Sequence, residues 1–204
     1  MSRITSVEQL RRLYPPAHDR AVRKELGHLD RHHRRFIALS PFLAISSTGA
    51  DGHADVSPRG ETAGFVSVAD DRTLLIPDRP GNNRLDTLSN IVANPAVGLM
   101  FLVPGVNEIL RVNGRAELHD DSGLAEQFLI RGKAPKLVIK VAVAQAYLHC
   151  AKALMRSALW DAASRVDRRQ LPTMGEMLAD QCGEPAGPVE TEAEMLARYE
   201  KALY

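Results

Sequence analysis

The sequence has few of the features that mark a secreted, membrane-spanning or nucleic-acid-binding protein. It contains only two cysteines, Cys150 and Cys182, among 204 residues, which favours reduced thiols in a cytoplasm over a disulfide framework. No apolar run approaches the ~18 residues needed to cross a bilayer. The 26 basic and 25 acidic residues leave a formal net charge of +1. No global field therefore attracts a nucleic acid or an anionic membrane, and neither partner is predicted.

Two common nucleotide-binding signatures are also missing. The chain has neither the Rossmann glycine pattern nor the phosphate-binding loop (P-loop) of nucleoside triphosphatases. Its 45% hydrophobic and 25% charged residues are nevertheless typical of a soluble globular protein. A chain of this length buries roughly 70% of its unfolded surface. The composition thus predicts one folded domain with helical additions.

Short apolar segments separated by turn residues predict a sheet within residues 41–150. The predicted strands are Phe42–Thr48, Ala54–Ser57, Gly64–Val68, Thr73–Pro77, Ala96–Val103, Ile109–Leu118 and Lys136–Val143, resuming at Ala146–Leu148. The first four have no helix between them, which favours an antiparallel meander over a parallel α/β sheet. Six or seven short strands in one block predict a small β-barrel.

Helical patterns flank and interrupt this block. Apolar residues three and four apart between Val22 and Ile37 predict one N-terminal helix that Pro41 ends. Further helices are predicted for residues 85–92, with Leu85, Leu88, Ile91 and Val92 on one face, and for residues 122–131. We expect a helical extension over 1–40, a barrel core over 41–150, and a helical segment over 151–204 that either covers a site or braces a dimer.

The segment from Asp78 to Asp86 is the first candidate site. We predict that it opens a helix with Asn82 as N-cap and Arg84 in the first turn. A cation in the first turn opposes the helix dipole unless an anion offsets it, and Asn83 adds hydrogen-bond donors. The segment therefore predicts a phosphate site. The alternative is a polar loop that caps a surface helix.

Two other segments are candidates. Ser57-Pro58-Arg59-Gly60 is predicted as a turn whose Arg59 could grip a phosphate, the alternative being a hairpin loop with an exposed arginine. Lys152, Arg156 and Trp160 are spaced by four, which places them on one helix face suited to an anionic ring system. The alternative is a solvated face with Trp160 half buried.

Several motifs in this order and spacing carry a family resemblance. They are Ser57-Pro58-Arg59-Gly60, Leu74-Leu75-Ile76-Pro77, Asn82-Asn83-Arg84, Asn94-Pro95 and Arg111-Val112-Asn113-Gly114-Arg115-Ala116. With them the chain resembles the FMN-binding split-barrel superfamily, best known from pyridoxamine 5′-phosphate oxidase. His149-Cys150 with Lys152 and Trp160 is similar to the uncharacterised FMN-dependent members of this class.

The resemblance implies a mainly β fold with flanking helices, a homodimer of six-stranded antiparallel split β-barrels, and one FMN at each end of the interface. It implies that Asn82, Asn83 and Arg84 hold the FMN phosphate, assisted by Arg59. The backbone of Ser57, Pro58, Arg59 and Gly60, and that of Ile76 and Pro77, would contact the flavin edge. Arg111 would come from the neighbouring subunit, and Lys152 and Trp160 would close the site near the ring.

The resemblance further implies an FMN-dependent oxidoreductase that acts on a small organic substrate. Asn83-Arg84 stands where the oxidase has a basic pair, and the oxidase's C-terminal substrate residues have no counterpart, so pyridoxamine phosphate is not the expected substrate. No catalytic side chain is assigned, although Arg111 or Lys152 could stabilise a flavin anion. The alternatives are a non-enzymatic flavin- or haem-binding redox or sensor module, and a structural barrel without cofactor.

The remaining candidates have ordinary interpretations. His28 and His32 are spaced by four, as in zinc sites, but no third ligand is evident and the surrounding residues are cationic. We therefore predict no metal and a solvated helix face for this segment, including His33. Cys150 is predicted to be buried and inert, the alternative being a reactive thiol at a helix start, where the thiolate is favoured.

Overall fold

The computed structural model describes residues 3–184 and 190–204. Their centre is one antiparallel sheet of seven strands in the order β2-β1-β5-β6-β7-β4-β3. The strands are β1 (Phe42–Thr48), β2 (Ala54–Gly60), β3 (Ser67–Val68), β4 (Thr73–Pro77), β5 (Ala96–Leu102), β6 (Ile109–His119) and β7 (Val138–His149). The mainly β split-barrel fold is confirmed, with seven strands where the resemblance implied six.

The first four strands do not form the predicted meander. β1–β2 and β3–β4 are antiparallel hairpins at opposite ends of the strand order. β1 pairs on its other side with β5, and β4 pairs with β7. Turn residues determine which consecutive strands form a hairpin, but they do not determine how the hairpins pair with the rest of the sheet. The buried side chains of β1 and β4 then select distant partners.

A β-bulge lies where the sequence pattern suggested a break in the last strand. β7 runs without interruption, but its register with β6 shifts at Asn113/Gly114, so that Ala144 has no partner. A Cβ atom on Gly114 would lie 2.2 Å from the main-chain oxygen of Ala142. Glycine at this position therefore lets the two strands approach closely at the bulge.

The core lies on one face of the sheet, where alternate residues of the strands are buried. Leu43, Ile45, Phe101, Val112 and Ile139 are at most 2% exposed. Helices α3 (Arg31–Leu39) and α4 (Asp86–Ala93) contribute to the same cluster. On α4 only two of the four predicted apolar positions, Leu88 and Ile91, are buried, since Leu85 precedes the helix and Val92 faces outward.

The N-terminal helix is broken into two. α2 (Asp19–Arg23) and α3 are separated by a segment in which Leu26 exchanges two main-chain hydrogen bonds with Ala146 of β7. Asp30 then starts a new helix because its side chain accepts hydrogen bonds from the N–H groups of His32 and His33. The apolar periodicity is compatible with one helix, but the bridge and the cap interrupt it.

His33 is buried rather than solvated. Its side chain is 5% exposed, and its Nδ1 accepts a hydrogen bond from the main-chain N–H of Asp30 at 3.3 Å. Burial lowers the pKa of His33, although the neighbouring Asp30 carboxylate acts in the opposite direction. The prediction of a solvated face fails here because the reciprocal cap orients the imidazole inward.

The remaining helices are short and flank the sheet. They are α1 (Val7–Arg11), α5 (Ser122–Glu126), α6 (Lys152–Ser157), α7 (Met174–Cys182), α8 (Glu192–Ala202) and 3₁₀ turns at Ala162–Ser164 and Arg168–Gln170. After α8, the ring of Tyr204 lies 5.7 Å from the guanidinium of Arg79 and 5.5 Å from that of Arg131. Across residues 3–184 and 190–204, every helix is too short or too polar to cross a membrane.

Candidate cofactor site

A cleft of about 770 Å³ opens beside the edge strand β2. Residues 55–59 of β2, residues 78–88 around the start of α4, and residues 136–137 before β7 line it. Its volume lies in the range of small-molecule and cofactor pockets, roughly 300–1,000 Å³. The fold therefore brings Ser57, Pro58, Arg59, Asn82, Asn83 and Arg84 together in one place.

The start of α4 differs from the predicted helix start. The helix begins at Asp86, and its N-cap is Leu85, in the left-handed region with φ 61° and without a side-chain cap. Asn82 instead accepts a hydrogen bond from the main-chain N–H of Arg84 at 3.1 Å. Arg84 precedes the helix, and its Nε lies 2.8 Å from Asp86 in the first turn. The conflict with the helix dipole is therefore absent, because an acidic residue occupies the first turn.

The same geometry still suits an anion. Leu85 supplies no side-chain acceptor, so the first N–H groups of α4 are available to a ligand at the positive end of the dipole. Asn83 also has a positive φ, 59°, a conformation that asparagine tolerates better than most other residues, and it turns the chain into the start of α4. Arg84 is largely exposed, so its guanidinium can reach a bound group.

Ser57-Pro58-Arg59-Gly60 is not a turn but the second half of β2. Alternate side chains along it are half buried, so Ser57 and Arg59 share a face. Arg59 donates through Nη1 to Ser57 Oγ at 2.8 Å and to the main-chain oxygen of Pro58 at 3.0 Å. Its Nε is buried and has no hydrogen-bond partner among the described residues. A buried unpaired donor costs about 1–3 kcal/mol, a cost that an ordered water or a bound ligand next to it would relieve.

Lys136 is a cleft residue that the sequence analysis missed, and Asp78 belongs to the first candidate segment but was given no role there. Asp78 follows β4, and its main-chain N–H donates to Leu137 O at 3.0 Å, which places it next to the residue before β7. Its Oδ1 lies 3.7 Å from Arg59 Nη2. Burial raises the pKa of Asp78, while the charges of Arg59 and Lys136 act in the opposite direction. The long-range pairing of β4 with β7 brings Asp78 and Lys136 together.

Three of the predicted backbone contacts lie outside the lining of the cleft. Ile76 is fully buried in the core, and Pro77 is buried directly before Asp78. Gly60 ends β2 opposite Phe42.

Arg111, Lys152 and Trp160 also lie away from the cleft of their own chain. Arg111 lines a separate groove of about 430 Å³ on the outer face of the sheet, and its guanidinium lies 5.2 Å from the ring of Tyr147. Lys152 is exposed at the start of α6. Trp160 is half buried, and its Nε1 donates to Val106 O at 2.9 Å.

The predicted helical face of Lys152, Arg156 and Trp160 is not formed. Helix α6 ends at Ser157, and Ala158 adopts a left-handed conformation with φ 48°.

Cys150 is exposed rather than buried. In the part of the chain that the structure describes, no three His, Cys, Asp or Glu side chains converge on a common point that could hold a metal.

An open antiparallel sheet with a polar cleft beside its edge strand and a short helix starting in that cleft defines the split-barrel class. The family model described as pyridoxamine 5′-phosphate oxidase matches residues 29–150, more than half of the chain. The chain therefore belongs to the pyridoxamine 5′-phosphate oxidase family. No curated protein matches it.

Solved structures with a similar fold share little sequence with the chain. A variant of HupZ from Group A Streptococcus has a TM-score of 0.50 and 18% identity, over 59% of this chain and 99% of that one. HupZ itself has a TM-score of 0.49 and 16% identity, over 59% and 93%. An FMN-binding protein from Syntrophomonas wolfei has a TM-score of 0.45 and 12% identity, over 70% and 92%. The likeness to the HupZ variant, at 18% identity, concerns the fold alone.

Proposed function

We propose that the protein is an FMN-dependent oxidoreductase that acts on a small organic substrate. The observation that carries the proposal is the cleft itself, in which an uncapped helix start, Asn83, Arg84 and Arg59 line the same volume. Membership of the pyridoxamine 5′-phosphate oxidase family is consistent with it.

The phosphate of FMN is assigned to the start of α4. The N–H groups of the first turn, the amides of Asn82 and Asn83, and the guanidinium of Arg84 supply neutral and charged donors there. Asp86 already pairs with Arg84, so it would hold the guanidinium in place next to the phosphate. The flavin ring would then extend along the cleft toward β2 and the residues before β7.

We further propose that two copies of the chain complete the site. The outer face of β1, β2, β5 and β6 exposes the apolar side chains of Phe42, Val56 and Met100. Val56 lines both the outer groove and the cofactor cleft. A second copy on this face would therefore bring Arg111, and the nearby Lys152 and Trp160, toward the cleft of its partner, which accounts for their distance from the cleft of their own chain.

Bound FMN supplies the redox chemistry, and the protein supplies binding and electrostatics. A partner's Arg111 or Lys152 near the pyrimidine ring would stabilise the negative charge of a reduced flavin. Among the described cleft residues the buried Thr87 hydroxyl donates to the Asp55 carboxylate at 3.0 Å, a contact that joins the start of α4 to β2. Positioning of the cofactor and substrate is the contribution that we expect from the chain.

The visible spectrum of the purified protein tests this proposal. We expect a flavin band, either as isolated or after reconstitution with FMN, and a change in the reoxidation rate of the reduced protein when a suitable small acceptor is added. A Soret band would replace the proposal with haem binding. A protein that stays colourless after incubation with FMN would refute any flavin function. A bound flavin whose reoxidation rate changes with none of the donors and acceptors tested would refute the enzyme proposal in favour of a redox carrier or sensor.

A further inference from the structure

Residues 3–24 form an N-terminal arm that makes few contacts with the rest of its own chain. Every residue of the arm is exposed, and helices α1 and α2 within it contain no buried side chain. Among the described residues, the arm is tied to the sheet by the hydrogen bond from Lys24 Nζ to Leu148 O, at 2.6 Å. Its apolar side chains, which are between 44% and 67% exposed, are Ile4, Val7, Leu10, Leu13, Tyr14 and Val22.

An arm with these properties needs a surface that covers it. Helices α1 and α2 span five residues each, whereas isolated helices shorter than roughly 12–15 residues are marginal in water. Ser6 Oγ accepts a hydrogen bond from the N–H of Gln9 at 3.2 Å, but one such cap contributes only about 1 kcal/mol. Apolar side chains that recur every three or four residues therefore point to a partner surface.

The C-terminal helices have the complementary chemistry. Residues 174–204, which include α7 and α8, contain seven Asp and Glu against two Lys and Arg, a net charge of −5. The arm contains six Lys and Arg against two Asp and Glu, a net charge of +4. Neither α7 nor α8 has a buried residue, and their exposed apolar side chains include Leu178, Leu196, Tyr199 and Leu203. A cationic amphipathic arm fits an apolar surface of the opposite charge.

Within one chain the arm and the end of α8 are held at opposite ends of β7. The arm meets the sheet at Leu148. After α8, the ring of Tyr204 lies 5.7 Å from the guanidinium of Arg79. Arg79 follows β4, whose Pro77 pairs with Val138 at the start of β7. Ten positions separate Val138 from Leu148, which corresponds to about 30 Å of strand.

The proposed dimer brings the two regions together between copies. The ring of Tyr147 lies 5.8 Å from Lys24 Nζ and 5.2 Å from the guanidinium of Arg111, so the base of the arm is fixed beside Arg111. An arrangement that brings Arg111 toward the cleft of the partner brings the arm to the same place. The wall of that cleft includes the partner's Arg79, which contacts the end of the partner's α8.

We propose that the arm of one copy docks on α7 and α8 of a second copy, with its apolar side chains against theirs and its arginines facing their carboxylates. This inference rests on the proposed dimer and adds an interaction surface outside the cofactor site. Each copy gives one arm and receives one, so the contact forms twice in a twofold dimer.

Charge reversal on each side of the contact tests the docking. Arg11→Glu/Arg12→Glu reverses two exposed residues of the arm, and Glu192→Lys/Glu200→Lys reverses two exposed residues of α8 outside its capping box. The readout is hydrogen exchange of the α1 amides in the intact chain. We expect slow exchange in the wild type and exchange at least about tenfold faster in either variant, because like charges then face each other.

A mixture of the two variants distinguishes contact between copies from contact within one chain. In a mixed dimer each arm faces an α8 of opposite charge, so slow exchange should return once the variants have exchanged subunits. An arm that folded back on its own chain would gain nothing from mixing. All four substitutions in one chain should restore slow exchange in either case, which shows that they leave the fold intact.

Arg31→Glu/Arg35→Glu is the matched control. It reverses two exposed arginines of α3, a helix that packs on the core of its own chain. Exchange of the α1 amides in this variant should equal that of the wild type.

The outcomes separate this inference from the proposed function. Fast exchange of α1 in a wild-type dimer, or recovery only with all four substitutions in one chain, would refute the docking and leave the dimer and the cofactor site standing. Slow exchange that requires vesicles containing phosphatidylserine would assign the arm to an anionic membrane instead. A wild-type monomer would refute the docking together with the dimer, whereas FMN binding is decided independently by the visible spectrum.

Discussion

At the residue scale, each arginine of the cleft has a different partner and therefore a different role. Arg84 is exposed and pairs with Asp86 at 2.8 Å. Arg59 is mostly buried and lies 3.7 Å from Asp78. Arg79 pairs with Glu61 and also donates to Phe128 O at 2.8 Å, so it holds the wall of the cleft. Of the three arginines, Arg84 is the most accessible to a bound phosphate.

We expect Arg84→Ala to weaken FMN binding by about 1.5–3 kcal/mol, because one charged hydrogen bond to the phosphate is lost. Binding of riboflavin, which lacks the phosphate, should be unchanged by the same substitution. Fluorescence titration of both ligands measures the difference, and Arg72→Ala, in an exposed turn outside the cleft, controls for net charge. An equal loss for FMN and riboflavin would remove Arg84 from the phosphate site.

At the element scale, the short helices depend on local caps rather than on their length. Helix α3 starts with a reciprocal cap between Asp30 and His33, and α7 and α8 start with Thr–Glu capping boxes. Helices this short are marginal by themselves, so caps and packing decide where they begin. The cap of α3 buries a titratable group and therefore makes its stability depend on pH.

The pKa of His33 is lowered from 6.5 mainly by burial. The unfolded chain thus binds a proton at a higher pH than the folded chain. The contribution of His33 to stability is present above pH 6.5 and is lost as the pH falls below this value.

Urea unfolding between pH 7.5 and 5 measures this dependence. His33→Gln should cost about 1 kcal/mol at the upper end, where the cap is intact, and should flatten the fall in unfolding free energy at the lower end. His53→Gln is the control, because the His53 side chain is 88% exposed. Parallel pH profiles for the wild type and His33→Gln would contradict the assignment.

At the scale of the whole molecule, one face of the sheet is buried and the other is exposed. We call the buried face the closed face and the exposed face the open face. The closed face holds the core, including Ile45 and Phe101, both fully buried. On the open face Ala44, Ser46 and Gly98 leave a shallow groove beside Met100 and Arg111. Small side chains flanked by exposed apolar ones allow another backbone to approach closely, which suits a flat dimer contact.

We expect Met100→Glu to convert the proposed homodimer into a monomer, because it places an unpaired charge in the interface. FMN binding should weaken at the same time, since the partner's Arg111 would be removed from the site. Sedimentation measures the oligomeric state and fluorescence titration the affinity. Val92→Glu is the matched control, as Val92 is 77% exposed on α4 and lies outside the groove. A wild-type monomer that binds FMN would refute the dimer proposal.

The sequence alone determined the local features of the fold. Alternating apolar residues and turn clusters gave the bounds of β1 and β4, and Pro95 marked the end of α4 within two residues. The motif Asn82-Asn83-Arg84 placed the strongest candidate for anion binding. These features depend on residues close together in the chain, where periodicity, turns and caps act directly.

Tertiary structure alone decided the features that depend on distant residues. The β4–β7 pairing brings Asp78 to Lys136, and the pairing of β1 with β2 and β5 exposes Met100 on the same face as Val56. The bridge between Leu26 and Ala146 breaks the N-terminal helix. Sequence patterns show which segments form strands, but they do not show which strands pair with each other. Strand pairing follows from the packing of the complete core.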